Sequence, residues 1–409
     1  MQSNSNYTES LKLDEFKKAA ERLNGVLKKT SLIYSNTFSS ESGNEIYIKP
    51  ENLQNTGSFK IRGAYNKISK LSAEEKSHGL IASSAGNHAQ GVAFAAEKLG
   101  VQATIVMPKT TPLIKVDATR KYGAEVVLHG NVYDEAYSHA KELEKEKGYT
   151  FIHPFDDVDV ILGQGTIALE IIEELKDVDY ILAAVGGGGL ISGLAVAAKS
   201  VNPNIKVIGV EPEGASCMKS SLVENKIVNL GAVKTIADGA AVAQPGNITF
   251  EVAQKYVDDI ITVSDFEIME AFLVLLEKHK LIAENAGVLP LAGIKKLNVT
   301  GKKVACVVSG GNIDVLTISS LINKGLVSRG RIFCFTMELT DRPGQLMRVC
   351  DILAKTGANI IQLDHNKYKT INSFMQVQLE VTVETNGHEH VNNIINELCK
   401  NGFCINKIY

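Results

Sequence analysis

Lys60 is the residue in this sequence whose surroundings best suit covalent chemistry. Asn55-Thr56-Gly57-Ser58 precedes it, Phe59 and Ile61 flank it, and no acidic residue stands closer than Glu51. Burial in apolar surroundings disfavours the ammonium and lowers a lysine's pKa. A neutral amine is a nucleophile and forms a Schiff base with an aldehyde cofactor. The same residues also allow an ordinary lysine at a helix start, because a motif this short is not specific by itself.

Three small-residue loops each follow an apolar run and open a helical pattern. Gly186-Gly187-Gly188-Gly189-Leu190 lets backbone approach closely and presents free helix N–H groups, the features a phosphate needs. It is not a dinucleotide fingerprint: counted from Gly186, the last position of G-x-G-x-x-G is Ile191. Ser309-Gly310-Gly311-Asn312 places a hydroxyl after the run ending at Val308. Ser83-Ser84-Ala85-Gly86-Asn87-His88 groups hydroxyls, an amide and an imidazole. His88 invites a role as a base, but no carboxylate is visible to orient it, which favours a packed histidine at a helix start.

These loops need elements to hold them. Leu80 to Ala82, Ala103 to Met107, Glu125 to Leu128, Tyr180 to Val185, Lys206 to Glu211, Ile260 to Val263 and Val304 to Val308 are strand-like apolar runs. Helical patterns follow each of them, including Asn87 to Leu99, Pro112 to Tyr122 and Val132 to Glu146. Such alternation predicts an α/β fold with parallel sheets covered on both faces. Ligands are then expected at the carboxyl ends of the strands. Leu11 to Leu27 predicts an amphipathic helix, and residues 1–10 are expected to be disordered. Tyr180 to Ala198 carries no charge, but its glycine centre predicts strand, turn and helix, not a membrane span.

Beyond Gly330 the pattern changes to β (332–339), α (343–355), β (359–365), β (375–383), α (387–400) and β (403–408), a ferredoxin-like order. Pro343 is expected in the first turn of its helix. The boundary between domains is expected near 324–331, with 1–325 as one domain and 331–409 as the other.

The 409 residues carry a formal net charge of −3, with the charges well mixed, no Trp and no basic run of five. That argues against a nucleic-acid partner. Six cysteines form no C-x-x-C pair, the usage of a reducing cytosol. The first residues lack the basic and apolar regions of a signal peptide.

Ser58-Phe59-Lys60-Ile61-Arg62-Gly63 resembles the lysine motif of the fold-type II pyridoxal-phosphate enzymes. The other three loops occur in that family's order, and His153-Pro154-Phe155-Asp156-Asp157 and Asp238-Gly239-Ala240 add to the resemblance. It implies a two-lobed catalytic domain with a small lobe at about 51–154. It implies pyridoxal 5'-phosphate bound by Phe59, Lys60, Asn87, Gly186, Gly187, Gly188, Gly189, Leu190 and Ser309, with Lys60 catalytic. It implies substrate binding by Ser83, Ser84, Ala85, Gly86, Asn87, His88 and Gly239. In the family, the serine matching Ser309 meets the pyridine nitrogen, where other classes place a carboxylate. Racemases of the family carry a second serine where this chain has Ala85, which favours elimination over racemisation. Their divalent-ion site uses two carboxylates. Glu211 matches the first, but Cys217 replaces the second, which argues against a divalent ion and leaves a monovalent ion held by carbonyls as the alternative.

Leu339-Thr340-Asp341-Arg342-Pro343-Gly344-Gln345-Leu346 resembles the signature of the ACT domains, regulatory amino-acid-binding modules. The resemblance implies an effector site at Asp341, Pro343, Gly344, Gln345 and Leu346, and a homo-oligomer that pairs the modules. Asp341 is expected to cap the following helix. The whole chain resembles the single-ACT threonine dehydratases. That implies a cytoplasmic enzyme converting L-threonine to 2-oxobutanoate and ammonia, with L-serine as a secondary substrate. It also implies a place at the first step of isoleucine biosynthesis, under allosteric control, with a catabolic role as the rival setting. The alternatives are a serine dehydratase or racemase of the same fold, and a non-catalytic amino-acid sensor.

Overall fold

The computed structural model describes residues 7–367 and 375–409. The chain divides into two compact units, 1–313 and 314–409. Among the described residues, the first contains two sheets built from ten strands. These are β1 (Ile33–Tyr34), β2 (Glu45–Pro50), β3 (Leu80–Ser83), β4 (Ala103–Met107), β5 (Glu125–Leu128), β6 (Thr150–Phe151), β7 (Tyr180–Ala184), β8 (Lys206–Pro212), β9 (Asp259–Val263) and β10 (Lys303–Val308). The larger sheet has the order β1-β2-β10-β7-β8-β9 and the smaller β5-β4-β3-β6. Each pairing of these strands is parallel except β1 with β2. The apolar runs seen in the sequence are these parallel strands. They are continuous because both faces of each sheet are covered.

The larger sheet buries Ile181, Ala183, Val207, Ala305 and Val307, which pack with Ile167, Ile191 and Leu194 of the covering helices. The smaller sheet packs Leu80, Ala82 and Ile105 against Val92, Ala93 and Ile68. Two expectations are corrected at the N-terminus. Of the stretch 1–10 expected to be disordered, residues 1–6 lie outside the described residues, and Tyr7–Ser10 is a helical turn. The next helix runs only Leu13–Leu23. It stops because the chain turns at Gly25, whose φ is +76°. The uncharged 180–198 stretch is β7, a glycine turn and the helix Gly189–Val201. Among the described residues no helix is long and apolar enough to cross a membrane.

The second unit opens with the helix Val315–Ser328, which packs on β11 (Ile332–Thr340). It groups with the C-terminal residues. β11 is followed by the helix Gln345–Thr356, β12 (Asn359–Asn366), β13 (Gln376–Glu384), the helix His388–Lys400 and β14 (Ile405–Lys407). The antiparallel order β12-β13-β11-β14 is that of a ferredoxin-like, ACT-type sheet. Phe333, Phe335, Leu379 and Val381 pack with Val349, Leu353, Ile394 and Leu398 of its helices. The helix expected from Pro343 begins two residues later. Gly344, at φ +90°, is its cap residue and has no side chain to offer. Asp341 does not cap it: its carboxylate pairs with Lys367 at 2.5 Å, and Gln345 N–H donates to the Arg342 carbonyl.

Candidate active site

β2, β10 and β7 are neighbours in the larger sheet, so the loops that leave their carboxyl ends converge. The loop after β2 carries Lys60, the loop after β7 is the glycine run, and the loop after β10 begins with Ser309. The lysine and serine loops are stitched together by backbone. Phe59 N–H donates to the Ser309 carbonyl at 3.0 Å, Gly311 N–H to the Gly57 carbonyl at 2.8 Å, and Ser58 bridges Gly310. One cleft is lined by Phe59, Lys60, Asn87, Gly186, Gly187, Gly188, Gly189, Leu190, Gly239 and Ser309. Ten of the residues singled out in the sequence thus meet in one place.

Lys60 opens the helix Lys60–Lys70, and its Nζ donates to the Pro154 carbonyl at 2.8 Å. Burial pushes its amine down to about 8, with the Glu284 charge acting in the opposite sense. The shift moves the amine towards its neutral form. Gly188, at φ +94°, caps the helix Gly189–Val201, a conformation that favours glycine. A Cβ at Gly187 would come within 2.4 Å of the Phe155 ring. Among the described residues, the amides of Gly186, Gly187 and Gly188 donate to no backbone acceptor. Free amides of this kind, next to a helix N-terminus, suit an anion.

Other expected residues stand elsewhere. Ser84 Oγ accepts from Gly86 N–H at 3.2 Å, inside the loop between β3 and the helix Asn87–Leu99. Ser83 is buried, and among the described residues its hydroxyl has no hydrogen-bond partner. Ser83, Ser84, Ala85 and Gly86 precede Asn87 without lining the cleft wall themselves. His88 also stands off the cleft wall: it is 3% exposed, and its Nε2–H donates to the Ile152 carbonyl at 2.8 Å. Burial, with the Lys60 charge, pushes it down to about 3. Burial thus favours its neutral form.

Sequence reading missed Glu284, and it met Phe155 only inside the 153–157 motif, with no site role. Glu284 lines the cleft and accepts from Asn87 Nδ2 at 2.7 Å. Asn312 Nδ2 donates to Asn87 Oδ1 at 2.8 Å, which fixes the orientation of that amide. Burial pushes the Glu284 carboxyl up to about 7, against the Asn87 hydrogen bond and the charges of Lys115 and Lys60. The available signal was one acid standing among Ala283, Ala286, Gly287 and Val288. Phe155 is held by a turn in which His153 Nδ1 accepts from Asp156 N–H at 2.8 Å. Asp156 then caps the helix Asn247–Tyr256 through the amides of Asn247, Ile248 and Thr249.

The Glu211 carboxylate and Cys217 lie at the start of one helix. The Glu211 carboxylate accepts from the amides of Met218 and Lys219 at 2.9 Å each, capping the helix Cys217–Glu224. Among the described residues no cluster of three His, Cys, Asp or Glu side chains could hold a metal ion. The cleft does suit pyridoxal phosphate. It offers an amine of lowered pKa, amides free of backbone partners beside a glycine wall, and a serine hydroxyl in place of a carboxylate.

Comparison with known proteins agrees. Residues 23–310 match the family model described as pyridoxal-phosphate dependent enzyme. An L-threonine ammonia-lyase of Thermotoga maritima is 49% identical over 392 residues, covering 96% of this chain and 98% of that protein. The processed form of threonine deaminase isoform 2 from Solanum lycopersicum has a TM-score of 0.74 at 40% identity, covering 79% of this chain and 89% of that one. Maize serine racemase has a TM-score of 0.73 at 34% identity, covering 78% and 99%. The chain belongs to the pyridoxal-phosphate-dependent enzymes of fold type II, in the branch that contains the L-threonine ammonia-lyases.

Proposed function

We propose that this protein deaminates L-threonine to 2-oxobutanoate and ammonia by β-elimination of water, with L-serine as a secondary substrate. One observation carries the reading: a lysine of lowered pKa, an amide cradle and Ser309 share a single cleft. When bound, pyridoxal phosphate supplies the electron sink for charge left on the substrate α-carbon. The amides of Gly186 to Leu190 would hold its phosphate, and Asn87 and Ser309 the ring substituents. Lys60 would tether the cofactor through its side-chain amine, and the same amine, when free, would take the α-proton. The hydroxyl of Ser309 offers the ring no full negative charge, which suits a reaction in which the leaving hydroxide carries the electrons away. The loop 83–87 would hold the substrate carboxylate. With Ala85 in that loop, no hydroxyl stands at the position from which family racemases return the proton.

The C-terminal unit reads as an ACT module that takes an amino-acid effector at Asp341, Pro343, Gly344, Gln345 and Leu346, between paired copies in a homo-oligomer. The natural setting is the first step towards isoleucine in the cytoplasm, with isoleucine as inhibitor. The test is keto-acid production from threonine and serine, with and without isoleucine and valine, together with chiral analysis of serine. Lys60→Ala is expected to lose the visible absorbance of the bound cofactor and at least about 10³-fold in kcat. D-serine as the main product from L-serine would turn the reading to a racemase. A wild type that takes up no cofactor would turn it to a sensor.

A further inference from the structure

Arg62 lies two residues beyond Lys60 on the same helix and is 1% exposed. A buried guanidinium is costly unless its donors are satisfied. Here all five N–H groups are used. Nε and Nη2 donate to the two Glu51 oxygens at 2.8 Å each. Nη1 and Nη2 donate to the two Glu170 oxygens at 2.6 and 3.0 Å, and Nη1 also to Thr166 Oγ1 at 3.1 Å. Lys49 Nζ donates to Glu170 at 2.6 Å and to the Thr30 carbonyl, while Thr30 Oγ1 donates to Glu51 at 2.6 Å. Two cations and two carboxylates form a closed, neutral quartet.

The quartet joins the segments that surround the cleft. Lys49 is on β2, whose last residue pairs with Val308, immediately before Ser309. Glu51 opens the turn Glu51–Leu53 at the head of the lysine loop, and Glu170 is on the long helix Val158–Glu174. Stability alone does not call for such a group, since apolar residues of matching volume commonly replace buried ion pairs without loss. What charge pairing adds is direction. A guanidinium accepts carboxylates only along its planar forks. Two forked partners therefore fix the rotation of the helix that starts at Lys60.

We propose that Lys49, Glu51, Arg62 and Glu170 act as positioning residues that set the pose of the Lys60 amine, an inference that rests on Lys60 being the cofactor lysine. The test uses the full-length chain and the variant Arg62→Lys, which keeps the charge and loses the forks. Three quantities are read: kcat and KM for L-threonine, the rate at which the cofactor-stripped chain gains visible absorbance on adding pyridoxal phosphate, and thermal unfolding. Because misplacement of about 1 Å costs up to ~10²-fold in rate, kcat should fall about 10- to 100-fold. Cofactor capture should slow in parallel, with KM changing far less and the chain still folded. A variant that melts earlier yet keeps both rates overturns the proposal and leaves the quartet a structural clamp. If Arg62→Lys does not fold, Glu170→Gln at the partly exposed rim is read the same way. There a several-fold fall in both rates supports the proposal and unchanged rates overturn it. A wild type that gains no absorbance fails at the cofactor-lysine reading, and this inference falls with it.

Discussion

Asn87 and Glu284 are 197 residues apart in sequence, and their side chains meet at 2.7 Å in the cleft. The contact places a carboxyl raised to about 7 beside the amide that opens the helix Asn87–Leu99. Unfolded, the same carboxyl titrates in the ordinary range near about 4.3. Between these values the folded chain holds one more proton than the unfolded chain, so its stability falls as pH rises through the window. Glu284→Gln removes that titration. Relative to wild type, the cofactor-stripped variant should gain stability from about pH 5 to about pH 7.5, read by urea unfolding at each pH. A pH-independent difference between the two would assign the raised value to some other group.

Gly187→Ala tests the wall of the anion cradle. The added methyl would stand 2.4 Å from the Phe155 ring, which the His153 turn holds in place. Overpacking of this kind costs about 1–3 kcal/mol. The variant should melt earlier and release cofactor on dialysis more readily than wild type. Unaltered retention would mean that the Phe155 loop yields without disturbing the cradle.

His88→Leu separates packing from catalysis. The Ile152 carbonyl would lose its donor, at a cost of about 1–3 kcal/mol. Because the imidazole titrates at about 3, removing it should leave the shape of the pH–rate profile between about pH 5 and 8 unchanged. Loss of a limb of that profile would restore His88 as a working base.

The strands and loops were legible because their signals are local. β4 and β5 span the residues expected of them, and the helix Asn87–Leu99 matches to the residue. Short runs of buried apolar residues and glycine breaks carry that information along the chain itself. The misreadings fell where local cues are weak or ambiguous. Pro343 looked like a helix start, yet Gly344 takes the cap position. The helix expected to reach Leu27 ends at Leu23, because the chain turns at Gly25.

By itself, the sequence determined the kind of chemistry: an amine in apolar surroundings, a glycine cradle and a neutral alcohol, in that order along an alternating α/β chain. Only the tertiary structure decided the partners. It brought Glu284 to Asn87, turned His88 towards Ile152, pressed Phe155 on Gly187 and closed both forks of Arg62. The reason is physical. A residue's type and its immediate neighbours set what it can do. The order of the sheet, with β10 inserted between β2 and β7, sets which distant loop it faces.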